Sequence, residues 1–93
     1  MLLISQSTLA FTKTIKNQSI GCENDKYLEK LVSYARQKDT QAFTKALLNG
    51  ITEGTCLMFK QGESVDVTEV GLTMNKVRPL GEIKEYWILR ENL

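Results

Sequence analysis

The sequence contains no histidine and only one proline among its 93 residues. Without histidine no side chain ordinarily titrates near neutral pH, so a Ser-His or Cys-His nucleophile cannot be assembled. The two cysteines are also too few for the four ligands of a structural zinc site. Carboxylates alternate with apolar residues in the second half, a pattern typical of a solvated strand surface. We therefore predict no catalytic residues, no metal, no cofactor and no enzymatic activity.

The chain also has almost no net charge and no long apolar run. Twelve basic and eleven acidic residues leave a formal charge of +1, so no broad field attracts nucleic acid or an anionic membrane. No apolar run approaches the roughly 20 residues that span a bilayer. The length suits one small domain. We expect a single domain over residues 1–93 that has no membrane span and whose charge disfavours nucleic-acid binding.

The first 21 residues are predicted to form a loose arm, with a short strand over residues 9–15. Met1 begins a short apolar run, and Thr8-Leu9-Ala10 follows the small-x-small pattern of signal-peptide cleavage sites. The run is too short for a complete signal, which makes it a candidate signal-peptide remnant. A frayed first strand starting at Leu2 is the alternative. A signal-peptide remnant would favour a periplasmic or secreted protein. A frayed first strand would be compatible with a cytoplasmic protein.

Residues 22–50 carry the pattern of a helical hairpin. Apolar residues recur on one face of each helix, first Leu28, Leu31, Val32 and Ala35, then Ala42, Phe43, Ala46 and Leu47. Asn24 or Asp25 is expected to cap the first helix and Asp39 the second, and Asn49-Gly50 to end it. Helices this short need a surface to pack on. That surface is predicted to be the sheet that follows.

Residues 51–93 read as a small antiparallel sheet. Short β-branched and aromatic runs, separated by glycines, predict strands over residues 55–60, 65–67, 74–78 and 84–89. Gly62 is expected to adopt positive φ in a turn. A bulge or bend is expected at Val70-Gly71, and Pro79 is expected in a turn. Tyr86 and Ile88 should share one face of the last strand, and Trp87 the other.

The order of these residues resembles bacterial Src-homology-3-like (SH3-like) domains over the last 40 or so residues. The matching positions are Gly62, Val65, Val67, Val77, Arg78, Trp87 and Leu93. The family's final Gly-Trp is Tyr86-Trp87 here, and residues 71–75 lack its usual turn glycines. The resemblance implies a five-stranded barrel, common in exported and cell-envelope proteins, that binds cell-wall or peptide ligands.

These features combine into one predicted architecture. We expect an α+β fold in which an N-terminal helical hairpin packs on a small, strongly bent antiparallel SH3-like β-barrel. The helical faces should lie against Leu57, Val65, Val67, Val77 and Ile88 of the sheet. Cys22 precedes the first helix and Cys56 opens the first barrel strand, so a disulfide would clamp both ends of the hairpin. Two reduced thiols in a cytosolic protein are the alternative.

The predicted ligand-binding residues are Trp87, Tyr86, Arg78 and Lys76. Trp87 should lie on the outer face of the sheet, where Lys76 and Arg78 would frame the indole with positive charge. Such a surface would suit an acidic partner. Burial of Trp87 beneath the helical hairpin is the competing interpretation.

The sequence thus predicts a non-catalytic, exported binding module for a protein, peptide or cell-wall ligand. An intracellular inhibitor or immunity-type protein is the first alternative. A small nucleic-acid-binding barrel is the second, because Lys76 and Arg78 accompany two aromatic residues.

Overall fold

The computed structural model describes residues 11–93. The prediction of an α+β fold is confirmed, because two helices accompany one six-stranded antiparallel sheet. The strands are β1 Phe11–Thr14, β2 Ser19–Cys22, β3 Cys56–Phe59, β4 Ser64–Val70, β5 Met74–Pro79 and β6 Tyr86–Leu89. The helices are α1 Asp25–Arg36 and α2 Thr40–Glu53, and a short 3-10 turn, Arg90–Asn92, follows β6. The signal-like segment at residues 1–10 lies outside the described residues.

The strand order β1-β4-β5-β6-β2-β3 makes the sheet strongly curled. Thr14 and Ser19 are only five residues apart, and that link reaches at most about 18 Å. A flat sheet would place four strand spacings, about 19 Å, between β1 and β2. The five-residue link from Phe59 to Ser64 likewise joins edge strand β3 to β4, which lies four strand spacings away. Ile15 is hydrogen-bonded to this link, since Ile15 N donates to Glu63 O (2.8 Å) and Gly62 N donates to Ile15 O (2.9 Å).

The curled sheet is not closed into a barrel by strand pairing. Within residues 11–93, β1 and β3 are its two edges. The bent antiparallel sheet is therefore confirmed, and the SH3-like barrel is not.

The predicted short strand over residues 9–15 agrees with β1, but the rest of the predicted loose arm is wrong from Ser19, where β2 begins. Both β1 and β2 belong to the sheet, and β2 lies between β6 and β3. Gly21 interrupts the apolar alternation that would have marked β2. A Cβ added at Gly21 would lie 2.5 Å from Cε2 of Phe59, so close packing against this ring requires glycine.

The inner core fills the concave side of the sheet. It consists of Ile15, Phe59, Val65, Val67, Val77, Tyr86, Ile88 and Leu93. Phe59 and Tyr86 meet edge to face with ring centroids 5.9 Å apart. Tyr86 and Ile88 share this face and Trp87 points away, as the strand alternation predicted.

Both helices begin where the sequence predicts, but α2 ends later than predicted. Oδ1 of Asn24 accepts hydrogen bonds from two α1 amides, and Oδ1 of Asp39 accepts one from Ala42 N (3.2 Å). The prediction that α2 ends at Gly50 is wrong, since Gly54 caps it with φ of 78°. Gly50 is buried inside the helix, where an added Cβ would lie 2.7 Å from Cys56 Sγ.

The outer core lies between the helices and the convex side of the sheet. Its buried members are Cys22, Leu28, Leu31 and Cys56, and its partly buried ones are Ile20, Tyr27, Val32, Phe43, Ala46, Leu47, Met74 and Trp87. The predicted packing of the helices against Val65, Val67, Val77 and Ile88 is therefore wrong, because those side chains face the concave side. Leu57, the fifth predicted partner, is exposed.

Smaller predictions in the sheet have mixed outcomes. Gly62 has φ of 89°, as predicted. The bulge lies between Val67 and Glu69, earlier in β4 than predicted. Pro79 ends β5, at a position where β5 pairs with β4 but has passed the end of β6. It also begins the predicted turn, since Glu82 N donates to Pro79 O (3.0 Å). Neither helix of residues 11–93 has the length and apolar character needed to cross a membrane.

Candidate functional site

The two predicted cysteines face each other across neighbouring strands. Cys22 ends β2, Cys56 begins β3, and their Sγ atoms lie at disulfide bonding distance. Both residues are buried in the outer core. The chain leaves the sheet for α1 just after Cys22 and returns from α2 just before Cys56, so this bond fixes both ends of the helical hairpin.

The predicted ligand-binding residues do not all meet. Trp87 lies on the convex face, opposite Lys76 on one side and Cys22 on the other. Lys76 Nζ lies 5.1 Å from the centroid of the indole ring, a cation-π distance. Arg78 shares this face two residues along β5, whereas Tyr86 points into the inner core. The structure therefore brings Trp87 and Lys76 together and separates Tyr86 from them.

Carboxylates offset the positive charge predicted around Trp87. Lys76 Nζ lies 3.8 Å from both Glu69 and Glu85, and Arg78 lies 3.5 Å from Asp66. The surface around Trp87 is thus charge-balanced, and the predicted cationic frame for an acidic partner is not supported. The indole itself is partly buried against the outer core, between full exposure and burial beneath the hairpin.

A groove with a volume of about 1110 Å³ lies elsewhere, between the helices and one end of the sheet. Its apolar wall includes Leu31, Val32, Phe43, Met58, Leu72 and Leu89. Along the apolar stripe of α1, Leu28 and Leu31 are buried, Val32 is half-buried and Ala35 is exposed. The sheet therefore covers the first part of the stripe and leaves its C-terminal part open, which creates the groove.

Hydrogen bonds hold the rim of the groove in place. Arg90 N donates to Thr73 O (2.9 Å), and Arg90 Nη1 donates to Gly71 O (3.1 Å). Asn92 Nδ2 donates to Ser19 Oγ (2.9 Å). These bonds join the 3-10 turn to the β4–β5 hairpin and to the start of β2, so this side of the groove is preorganised.

Two arginines carry the positive charge of the groove. Arg36 ends α1 and Arg90 begins the 3-10 turn, and both are exposed. Glu91 is the acidic residue among those that line the groove. Across residues 11–93, no ion pair within 4.0 Å involves either arginine. The groove is thus net positive, in contrast to the surface around Trp87.

The opposite end of the sheet is held by Lys84. Lys84 Nζ lies 2.9 Å from Glu23 and donates to Gly54 O (3.3 Å). The hydrogen bond from Lys84 to Glu23, together with the negative charge of Glu23, raises the pKa of Lys84. This contact ties the β5–β6 loop to the disulfide end of the helical hairpin.

The groove could not be predicted from the sequence because its parts are distant in the chain. The long apolar stripe of α1 was a visible signal, since it extends to Ala35. Leu72 and Arg90 belong to turns, where no periodicity marks a shared surface. Comparison of the chain with protein-family models, with curated proteins and with solved structures gives no match.

Proposed function

We propose that the protein is a non-catalytic, exported binding module whose groove holds a peptide segment of a partner protein. The observation that carries this proposal is the open, apolar groove of about 1110 Å³. This volume is slightly above the roughly 300–1,000 Å³ range of small-molecule sites. Grooves beside amphipathic helices commonly bind peptides through a few apolar anchors.

A peptide fits the groove better than a cell-wall carbohydrate does. The wall is largely aliphatic, and Phe43 is the aromatic residue among the lining side chains. Burial of a peptide's apolar side chains against an aliphatic wall contributes favourably to the binding free energy.

Export is supported by the buried pair Cys22 and Cys56. Disulfides persist in oxidising compartments and are rare in the cytosol. The alternative of an intracellular inhibitor or immunity-type protein requires free thiols. Intact mass after alkylation without reductant separates the two: exported protein should resist labelling at both cysteines, and labelling of both would overturn export.

We also propose that the curled sheet is a variant of the SH3-like barrel. Its support is the residue pattern from Gly62 to Leu93 and the tight curl of the sheet. In this proposal the barrel is open between β1 and β3, and the helical hairpin inserted between β2 and β3 provides the binding groove.

The binding proposal is tested by filling the groove. Peptides are first selected on the purified chain from a random library. Ala35→Trp then places an indole in the groove at an exposed helical position, so the fold should tolerate it. Ser33→Trp, also exposed on α1 but outside the groove, is the matched control. We expect Ala35→Trp to abolish binding of the selected peptides and Ser33→Trp to leave it unchanged; equal binding to both variants contradicts the proposal.

A further inference from the structure

We propose that the partner segment is acidic, with carboxylates next to the apolar side chains that enter the groove. This inference rests on the proposed function and specifies the chemistry of the ligand. Its basis is charge complementarity between the groove and the segment that occupies it.

The distribution of ion pairs separates the groove from the surface around Trp87. Around Trp87, Lys76 and Arg78 already have carboxylate neighbours within 4.0 Å. In the groove, Arg36 and Arg90 have none among residues 11–93, and Glu91 offsets only one of the two charges. A bound carboxylate would therefore meet an arginine that need not first give up a partner.

The position of the two arginines suits this role. They come from different elements, α1 and the 3-10 turn, and both line a groove with an apolar wall. Arg90 uses Nη1 to bind Gly71 O, which orients the guanidinium group and leaves other N–H donors for a carboxylate. An apolar anchor and a flanking carboxylate could thus be bound together.

Residues 1–10 of the chain are the competing occupant. This segment is rich in aliphatic residues and contains no charged side chain. It could satisfy the apolar wall, but it offers no carboxylate to Arg36 or Arg90. The charge of the groove therefore favours a partner's acidic segment over the chain's own first residues.

The test uses matched peptides and matched variants. Peptides selected on the groove are made with their acidic positions as Glu, as Gln or as Lys, and a peptide of residues 1–10 is included. Binding is measured by fluorescence anisotropy at low and high salt. We expect the Glu version to bind most tightly, the Lys version least, and added salt to weaken the Glu version.

The double variant Arg36→Gln with Arg90→Gln should weaken the Glu peptide by roughly tenfold, since each exposed pair contributes modestly. The Gln peptide should weaken much less, because it loses only the support that the bond from Arg90 to Gly71 O gives the rim. Lys13→Gln with Lys60→Gln removes the same charge outside the groove and should have little effect on the Glu peptide.

The outcomes distinguish this inference from the proposed function. If selected peptides are blocked by Ala35→Trp but bind equally as Glu and Gln versions, the acidic partner is overturned and the groove stands. Tighter binding of the residue 1–10 peptide than of the Glu version would also overturn it. If Ala35→Trp blocks nothing, the proposed function itself fails.

Discussion

The inner and outer cores of this small protein differ in how completely they are sealed. Every member of the inner core is at most 8% exposed. In the outer core four residues are buried and eight are only partly buried. The inner core is thus almost fully shielded from solvent, and its packing stabilises the curled sheet. The outer core continues into the groove, so the surface available for binding consists of outer-core side chains that no other part of the described chain covers.

The two cores are also held together by different means. Short chain links from β1 to β2 and from β3 to β4 hold the sheet around the inner core. The outer core depends on a helical hairpin attached through the bond between Cys22 and Cys56. Changes to the inner core should therefore unfold the molecule, and changes to the outer core should first affect the groove.

The largest effect is expected from Phe59→Ala. Phe59 is fully buried, contacts Tyr86 and fills the space beside Gly21. Its loss should lower the free energy of unfolding by roughly 3–5 kcal/mol, measured by urea denaturation. A cost below about 1 kcal/mol would show that the concave side is not the main core.

Removal of the disulfide should have the next largest effect. The 34-residue separation of Cys22 and Cys56 gives a loss of roughly 2–4 kcal/mol in the chain-entropy account. The double variant Cys22→Ala with Cys56→Ala is compared with the reduced and oxidised wild type. We expect the variant to match the reduced protein in stability and to lose groove binding; unchanged binding would show that the hairpin needs no clamp.

A smaller effect is expected from Leu31→Ala. Leu31 is a buried residue of α1, but several of its neighbours in the outer core are partly exposed. The cost should therefore fall near the low end of the range for buried leucine, about 2 kcal/mol. Thermal and urea unfolding measure it. An effect larger than that of Phe59→Ala would reverse the ranking of the two cores.

The smallest effect on stability is expected at two exposed aliphatic residues. Leu72 is 94% exposed in the β4–β5 turn and Ile83 is 92% exposed in the β5–β6 loop. Both Leu72→Ser and Ile83→Ser should change the free energy of unfolding by less than about 0.5 kcal/mol. Only Leu72 lines the groove, so only Leu72→Ser should weaken peptide binding. Equal binding by the two variants would show that the β4–β5 turn does not contact the peptide.

Local features of the fold could be predicted from the sequence. The caps at Asn24 and Asp39 depend on side chains bonding to nearby amides, and the alternation of Tyr86, Trp87 and Ile88 depends on strand geometry alone. The cysteine pair followed from the positions of both residues beside the hairpin.

Features set by distant contacts could not be predicted. Strand β2 has four residues and a central glycine, and its pairing with β6 and β3 defines it. Gly50 resembles a helix end in the sequence but serves to admit the sulfur of Cys56. The charge balance at Lys76 likewise required Glu69 and Glu85, which are fixed by strand register and by the β5–β6 loop.

The most direct test of the central claim is to map a selected acidic peptide by amide chemical shifts in a nitrogen-labelled sample. We predict that the largest changes fall at groove residues such as Ile20, Val32 and Arg90. The indole N–H of Trp87 and the amides of Lys76 should change little. Changes centred on Trp87 and Lys76, with the groove unaffected, would contradict the account.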